Sequence, residues 1–121
     1  MLTLACRGCC GGTSKHPDVE HDAHLDALHA VSPNLEITPC LGPCRWSNVV
    51  VAIEDDGTQH WFAKILSDHD IGAVTRWLAD PTGARPSHLE QTPPRPDQDR
   101  AAQVATLARA RLRHPLGQAA R

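Results

Sequence analysis

The sequence predicts an α/β fold, in which a small mixed sheet of four strands is covered by two helices in the order β-α-β-β-β-α, with a C-terminal tail. Short apolar and β-branched runs indicate the strands, and segments with helical spacing of apolar residues indicate the helices. More than twenty residues, including a helix, separate the first two strands, as a parallel pair requires. The later strands are close enough in sequence to pair as an antiparallel hairpin.

The first half of the chain supplies a strand, a helix and a second strand. Residues 2–5 form a short apolar run that ends at Cys6 and is followed by glycines. Pro17 suits the first turn of a helix that continues to about Val31. Residues 35–38 alternate apolar and polar side chains, which is typical of a strand. The predicted apolar stripe of this helix consists of Val19, Ala23, Ala27, Leu28 and Val31.

The hairpin and the second helix follow. Residues 48–54 are the strongest strand signal because they are nearly continuous in aliphatic residues, and residues 60–65 are the returning strand. The turn between them contains Gly57, which can adopt positive φ. Ser67 is the predicted N-cap of the second helix, with Asp70 in the position that Glu takes in a capping box. The core-facing residues of this helix are Ile71, Val74, Trp77 and Leu78.

Composition divides the chain into three parts. Residues 1–80 form the α/β domain, residues 81–98 are a Pro-rich linker, and residues 99–121 are a basic tail with a predicted amphipathic helix. Residues 1–84 hold five Lys and Arg against eleven Asp and Glu, whereas residues 85–121 hold seven against three. The tail helix is expected to be marginal unless it docks on another surface. Its predicted apolar residues are Val104, Leu107 and Leu112.

The sequence gives no sign of export or of a membrane span. Residues 2–5 are too short for the apolar core of an export signal, and the longest aliphatic run, residues 49–53, has five residues. We therefore expect a cytoplasmic, reducing location, in which clustered cysteines serve metal binding or redox chemistry more often than structural disulfides. The basic tail lacks interleaved aromatic residues, so nucleic acid is not an expected partner.

Five cysteines fall into two groups, Cys6, Cys9 and Cys10 in CRGCC, and Cys40 and Cys44 in CLGPC. The first group begins at the end of the first strand, and the second group follows the end of the second strand. Parallel neighbours lie about 4.8 Å apart, so the two groups should meet at the sheet edge where α/β folds bind ligands. Converging thiolates suit zinc or an iron-sulfur cluster. The predicted hydrophobic core favours an iron-sulfur cluster over zinc, because structural zinc commonly supports folds that have no such core.

Several features together resemble the thioredoxin-like 2Fe-2S ferredoxins. They are Cys40-Leu41-Gly42-Pro43-Cys44, the valine strand from Asn48, the turn at Asp56-Gly57, the strand at Trp61 and the Asp-rich helix start at residues 68–70. The pattern is also similar to the small 2Fe-2S subunit of respiratory NADH dehydrogenases. The resemblance covers residues 2 to about 80. It implies a thioredoxin-like fold, one 2Fe-2S cluster, one-electron transfer between unidentified redox partner proteins, and a homodimer.

The resemblance also implies the ligand set. Carried onto this chain, the cluster ligands are Cys6, Cys10, Cys40 and Cys44, with Cys9 as the alternative to Cys10. Members of the family usually separate the first two ligands by four or more residues, and Cys10 is the closer match to that spacing. The loop between the first two ligands is therefore compressed in this chain.

Two other functions are open to the same cysteines. Cys6-Arg7-Gly8-Cys9 is a C-x-x-C motif in which the arginine favours a thiolate, so a thiol-disulfide oxidoreductase is one alternative. A structural zinc protein is the other. The chain has no Gly-rich nucleotide fingerprint and no recognisable acid-base arrangement, so a non-catalytic electron carrier is expected rather than an enzyme. Four histidines near the first helix are interpreted as solvated and not as ligands: His16, His21, His24 and His29.

Overall fold

The structure, a computed structural model, describes residues 1–6, 18–38, 41 and 48–113. The predicted α/β class is confirmed, with five strands in one mixed open sheet and three helices in this part of the chain. The described part therefore has one more strand and one more helix than the predicted domain. In chain order the elements are β1 (Leu2–Cys6), α1 (His21–Val31), β2 (Leu35–Thr38), β3 (Val50–Ile53), β4 (Gln59–Phe62), α2 (Asp68–Ala79), β5 (Glu90–Gln91) and α3 (Arg95–Arg113).

The sheet has the strand order β2-β1-β3-β4-β5. β1 and β2 are parallel, with Cys6 opposite Thr38, and they are joined by the crossover that contains α1. β3 is antiparallel to β1 and forms a hairpin with β4, in which Val50 lies opposite Phe62. The predicted parallel pair and hairpin are therefore confirmed. The two-residue strand β5 pairs antiparallel with β4 at the sheet edge.

Both faces of the sheet are covered by helices. Along β1, Leu2, Leu4 and Cys6 belong to one apolar cluster, and Ala5 belongs to the other, as the alternation of a strand requires. The first cluster lies on the side that we call the α3 face, because that helix contributes to it. α1 and α2 contribute to the second cluster, on the α1/α2 face. The buried helix residues of the second cluster are Leu28, Ile71, Val74, Trp77 and Leu78.

The segment predicted as linker and tail contributes to this core. β5 lies within residues 81–98, and α3 begins at Arg95, before the start at residue 99 that the sequence predicted. The buried residues of α3 are Ala101, Ala105 and Ala108. Leu107, predicted to lie on the apolar face of this helix, is 62% exposed, because the helix packs through its alanines. Val104 is partly buried, and the side chain of Leu112 lies outside the described part.

Two arginines of α3 contact the body of the protein. The guanidinium of Arg109 donates hydrogen bonds to the carbonyl oxygens of Ile53 and Glu54, at 3.3 and 3.0 Å. Arg111 pairs with the carboxylate of Glu36 on β2, with an Nη2–Oε1 distance of 2.6 Å. Both contacts join residues more than fifty positions apart in sequence, so the helix is docked on the sheet in the structure.

The buried face of α1 agrees with the predicted stripe at Leu28, which is fully buried, and at Ala27 and Val31, which pack partly buried against the same cluster. It differs from the stripe in the first turns of the helix. The helix begins at His21, and its buried residues are His21, His24 and Leu28, whereas Ala23 is exposed. The interpretation of His21 and His24 as solvated is therefore wrong, because both side chains point toward the interior. His29 is exposed, as predicted, and His16 lies outside the described residues.

The start and the buried face of α2 are as predicted. Ser67 is its N-cap, and the Ser67 hydroxyl oxygen accepts a hydrogen bond from the backbone N–H of Asp70 at 3.1 Å. Trp61 and Trp77 are both core residues, 2% and 4% exposed. Among the described helices, none has both the length and the apolar character needed to cross a membrane.

Candidate functional site

Cys6 occupies the last position of β1 and is the predicted site residue that the structure describes. Cys6 is 1% exposed and belongs to the apolar cluster on the α3 face, together with Leu4, Leu41 and Val49. The backbone N–H of Cys6 donates a hydrogen bond to the carbonyl oxygen of Val49 at 2.9 Å. On its other side, Cys6 lies opposite Thr38 of β2. The position of Cys6 is thus fixed by a neighbouring chain segment on each side.

Described residues on both sides of the second cysteine pair lie next to the end of β1. Thr38, the last residue of β2, precedes Cys40 by two positions. Asn48, just before β3, follows Cys44 by four positions and is completely buried. Between these ends, Leu41 is 1% exposed and lies in the α3-face cluster. The described residues around and within the second cysteine pair, Thr38, Leu41 and Asn48, are therefore all buried.

Four of the predicted site residues lie outside the described part of the chain: Cys9, Cys10, Cys40 and Cys44. Arg7, the neighbour that would favour a thiolate, also lies outside it. The strand arrangement on which the site prediction depends is confirmed, because β1 and β2 are parallel neighbours. The convergence of the thiols and the choice between Cys9 and Cys10 stay predictions.

The surroundings of Cys6 are compatible with a soft metal centre. The described members of its cluster are apolar side chains, so the local dielectric is low and water is excluded from this side of the sulfur. A thiolate is the donor that zinc and iron-sulfur clusters prefer. Within residues 1–6, 18–38, 41 and 48–113, no group of three or more His, Cys, Asp or Glu side chains is arranged to hold a metal ion.

The buried histidines of α1 are features that the sequence interpretation missed. His24 is 2% exposed, and its Nε2 lies 3.6 Å from a carboxylate oxygen of Asp68 at the start of α2. His21 is 8% exposed, one turn earlier. Their spacing of three, with Leu28 four residues further on, was the available signal, since positions i, i+3 and i+7 share a helix face.

Comparisons of this chain with protein-family models, with curated proteins and with solved structures find no significant match. Its function is therefore inferred from its own residues.

Proposed function

We propose that this chain is a 2Fe-2S ferredoxin-like protein with a thioredoxin-like fold, which carries one electron at a time between redox partner proteins. The proposed cluster ligands are Cys6, Cys10, Cys40 and Cys44, with Cys9 as the alternative to Cys10. The proposal also includes a cytoplasmic location and a homodimer, both carried over from the sequence interpretation.

One observation supports this proposal above the others, namely the parallel pairing that sets Cys6 opposite Thr38. In a parallel pair both strands run in the same direction, so their carboxyl ends lie at one edge of the sheet. Cys9 and Cys10 follow the end of β1, and Cys40 follows the end of β2 by two residues. The pairing therefore supports a four-thiolate site assembled from two distant parts of the sequence.

The chain's own residues would hold the cluster and limit its contact with water. A 2Fe-2S cluster, when bound, takes up and releases a single electron at a potential set by its ligands, nearby hydrogen bonds and solvent exposure. Cys6 offers a thiolate whose backbone is held by β2 and β3. The side chains of Leu4 and Leu41 belong to the same apolar cluster as Cys6 and exclude solvent on the α3 face. Such a rigid and dry setting requires little rearrangement of the protein when its charge changes.

The burial of Cys6 argues against the thiol-disulfide alternative. An attacking cysteine must reach a disulfide of another protein, and reactive cysteines are accordingly found in partly exposed, electropositive surroundings. Cys6 is 1% exposed, with apolar neighbours. The sheet with two apolar clusters likewise reduces the need for a structural zinc ion, since structural zinc is typical of small domains that fold only with metal.

The deciding experiment is anaerobic purification of the full chain, with analysis of iron, acid-labile sulfide and zinc. We expect a coloured protein with visible absorbance, iron and sulfide in equal amounts, and an EPR signal after one-electron reduction. A colourless protein with stoichiometric zinc contradicts the proposal. A metal-free protein that reduces insulin disulfides would instead identify a thiol enzyme.

Single Cys→Ser variants at all five positions then identify the ligands. We expect the Cys6, Cys10, Cys40 and Cys44 variants to lose the cluster and the Cys9 variant, a matched control next to Cys10 in the sequence, to retain it. If the Cys9 variant loses the cluster and the Cys10 variant retains it, the ligand is Cys9 and not Cys10. Circular dichroism of each variant separates loss of the cluster from loss of the fold.

A further inference from the structure

Asn48 lies where the chain enters β3 after the second cysteine pair. It follows Cys44 by four positions and is 0% exposed. Its backbone has φ of +46°, in the left-handed region. A side chain with a β-carbon is sterically disfavoured in this region, and asparagine is among the residues that tolerate it best. A buried polar residue in such a backbone conformation persists only where the surrounding structure determines it.

The side chain of Asn48 reaches the chain that follows β4. Its Nδ2 donates a hydrogen bond to the carbonyl oxygen of Ile65 at 3.3 Å, in the interior of the protein. That acceptor is held in place, because Ile65 is buried in the cluster of the α1/α2 face and Ala63 is buried in the cluster of the α3 face. The hydrogen bond therefore connects Asn48 to a point that is fixed by packing on both faces of the sheet.

The acceptor residue follows a second left-handed position. Lys64, directly before Ile65, has φ of +56°. Within the described residues, Asn48 and Lys64 are the non-glycine residues with positive φ. Backbone conformations of this kind are common beside functional sites, where the surrounding structure stabilises them. One side-chain hydrogen bond thus links the two segments of the described chain that have this conformation.

The chain directly after Asn48 is bonded to Cys6. The carbonyl oxygen of Val49 accepts the hydrogen bond from the backbone N–H of Cys6 at 2.9 Å. Val49 and Cys6 are both buried in the cluster on the α3 face. Because Asn48 and Val49 are consecutive, a change in the backbone conformation of Asn48 would displace the acceptor that holds Cys6.

We propose that Asn48 is a positioning residue for the candidate cysteine site. Its left-handed backbone and its hydrogen bond to Ile65 set the chain that follows Cys44 beside Cys6. This inference deepens the proposed function and rests on it, because the role requires that Cys6 and Cys44 bind one metal centre. Glycine adopts the same φ readily but has no amide side chain, whereas alanine has no amide and disfavours this φ. Asparagine supplies both features.

The first test is amide hydrogen exchange of the full chain as purified, resolved at Cys6 by mass spectrometry with fragmentation. The measured quantity is the exchange rate of the Cys6 N–H relative to the other amides of β1. We expect it to rise about fivefold in Asn48→Gly, which loses one hydrogen bond, and about tenfold or more in Asn48→Ala, which also disfavours the left-handed backbone. Asn48→Gly keeps the test decisive if circular dichroism shows that Asn48→Ala does not fold. Unchanged relative exchange at Cys6 overturns the proposal.

The matched control is Ser32→Ala, which also removes one buried side-chain hydrogen bond. The Ser32 hydroxyl donates to the hydroxyl oxygen of Thr3 at 2.7 Å, near the start of β1, whereas Cys6 ends that strand. The control should therefore destabilise the protein but leave the relative exchange of Cys6 unchanged. A rise at Cys6 as large as that in Asn48→Gly would indicate a general loss of stability and would contradict a positioning role.

The second test uses the same variants purified anaerobically with iron and sulfide bound. We expect Asn48→Ala to shift the EPR g-values and the reduction potential or to lose the cluster, and Ser32→Ala to retain the values of the unmodified chain. Unchanged g-values and potential in the Asn48 variants overturn the positioning role and leave the proposed function intact. An unmodified chain without iron and sulfide contradicts the proposed function instead, and the exchange rates then decide whether Asn48 positions Cys6.

Discussion

Replacement of Ala105 with aspartate tests whether α3 is part of the core. Ala105 is 2% exposed and belongs to the cluster that also contains Ala101 and Ala108. A carboxylate at this position would be buried among apolar side chains, and an unsatisfied charged group costs about 3 kcal/mol or more. The lower helix propensity of aspartate adds roughly 0.6 kcal/mol. We therefore expect the free energy of unfolding to fall by about 3–4 kcal/mol.

The matched control is Ala102→Asp, the same substitution at an exposed position of the same helix. Here only the helix propensity changes, so the expected loss is roughly 0.6 kcal/mol. A domain of this size commonly has a total stability of about 5–15 kcal/mol, so both variants should retain a folded population. The difference between the variants measures the burial of α3 and not its intrinsic helicity.

The assay is urea denaturation of the full chain, followed by circular dichroism. Urea m-values of about 1–3 kcal/mol/M convert the expected difference of about 3 kcal/mol into roughly 1–3 M between the two midpoints. Equal midpoints for the Ala105→Asp and Ala102→Asp variants would show that α3 is not packed on the sheet, and would refute the reasoning from burial.

Three further predictions concern the β3–β4 turn and the start of α2. Ser67→Ala should destabilise the fold by about 1 kcal/mol in the same assay, because the backbone N–H of Asp70 loses its cap; no loss would contradict that role. Gly57→Ala should cost about 1 kcal/mol, since Gly57 has φ of +96° with open space around it; an unchanged midpoint would refute strain as the reason. The Thr58 backbone N–H donates to Asp56 at 2.9 Å and lowers the pKa of Asp56. This bond therefore stabilises the turn at a pH above about 4, the ordinary pKa of Asp, and the stabilisation is lost as the pH falls below that value. The free energy of unfolding of an Asp56→Asn variant should therefore fall less in acid than that of the unmodified chain.

The elements that the sequence predicted correctly have strong local signals. Aliphatic runs mark β1 and β3, and the cap at Ser67 with apolar spacing marks α2. The sequence did not predict the buried face of α3, because this face consists of alanines, while the larger side chain of Leu107 is exposed. Side-chain size predicts burial poorly where a helix lies close to a sheet, since only small residues fit between them. β5 is too short to produce a periodic pattern, and it is recognised as a strand by its antiparallel pairing with β4.

α1 shows a related failure of residue-type reasoning. Histidine is intermediate in burial preference, so the sequence analysis assigned the core-facing positions to alanine, valine and leucine and not to histidine. In the structure His24 reaches Asp68 of α2, and this polar contact accompanies its burial. A partner more than forty positions away cannot be identified from periodicity within one helix.

Strand topology predicts one part of the candidate cysteine site, and the other part lies beyond the strand ends. The position of Cys6 was predictable because the long crossover permits β1 and β2 to be parallel, and the observed pairing is parallel. The cysteines beyond the strand ends lie outside the described residues, and hydrophobic periodicity does not predict their positions. Cys6 is held by hydrogen-bonded strands and lies in the apolar cluster that α3 helps to cover. Under the proposed function, the sheet positions one ligand, Cys6, and the chain beyond the ends of β1 and β2 supplies the remaining three.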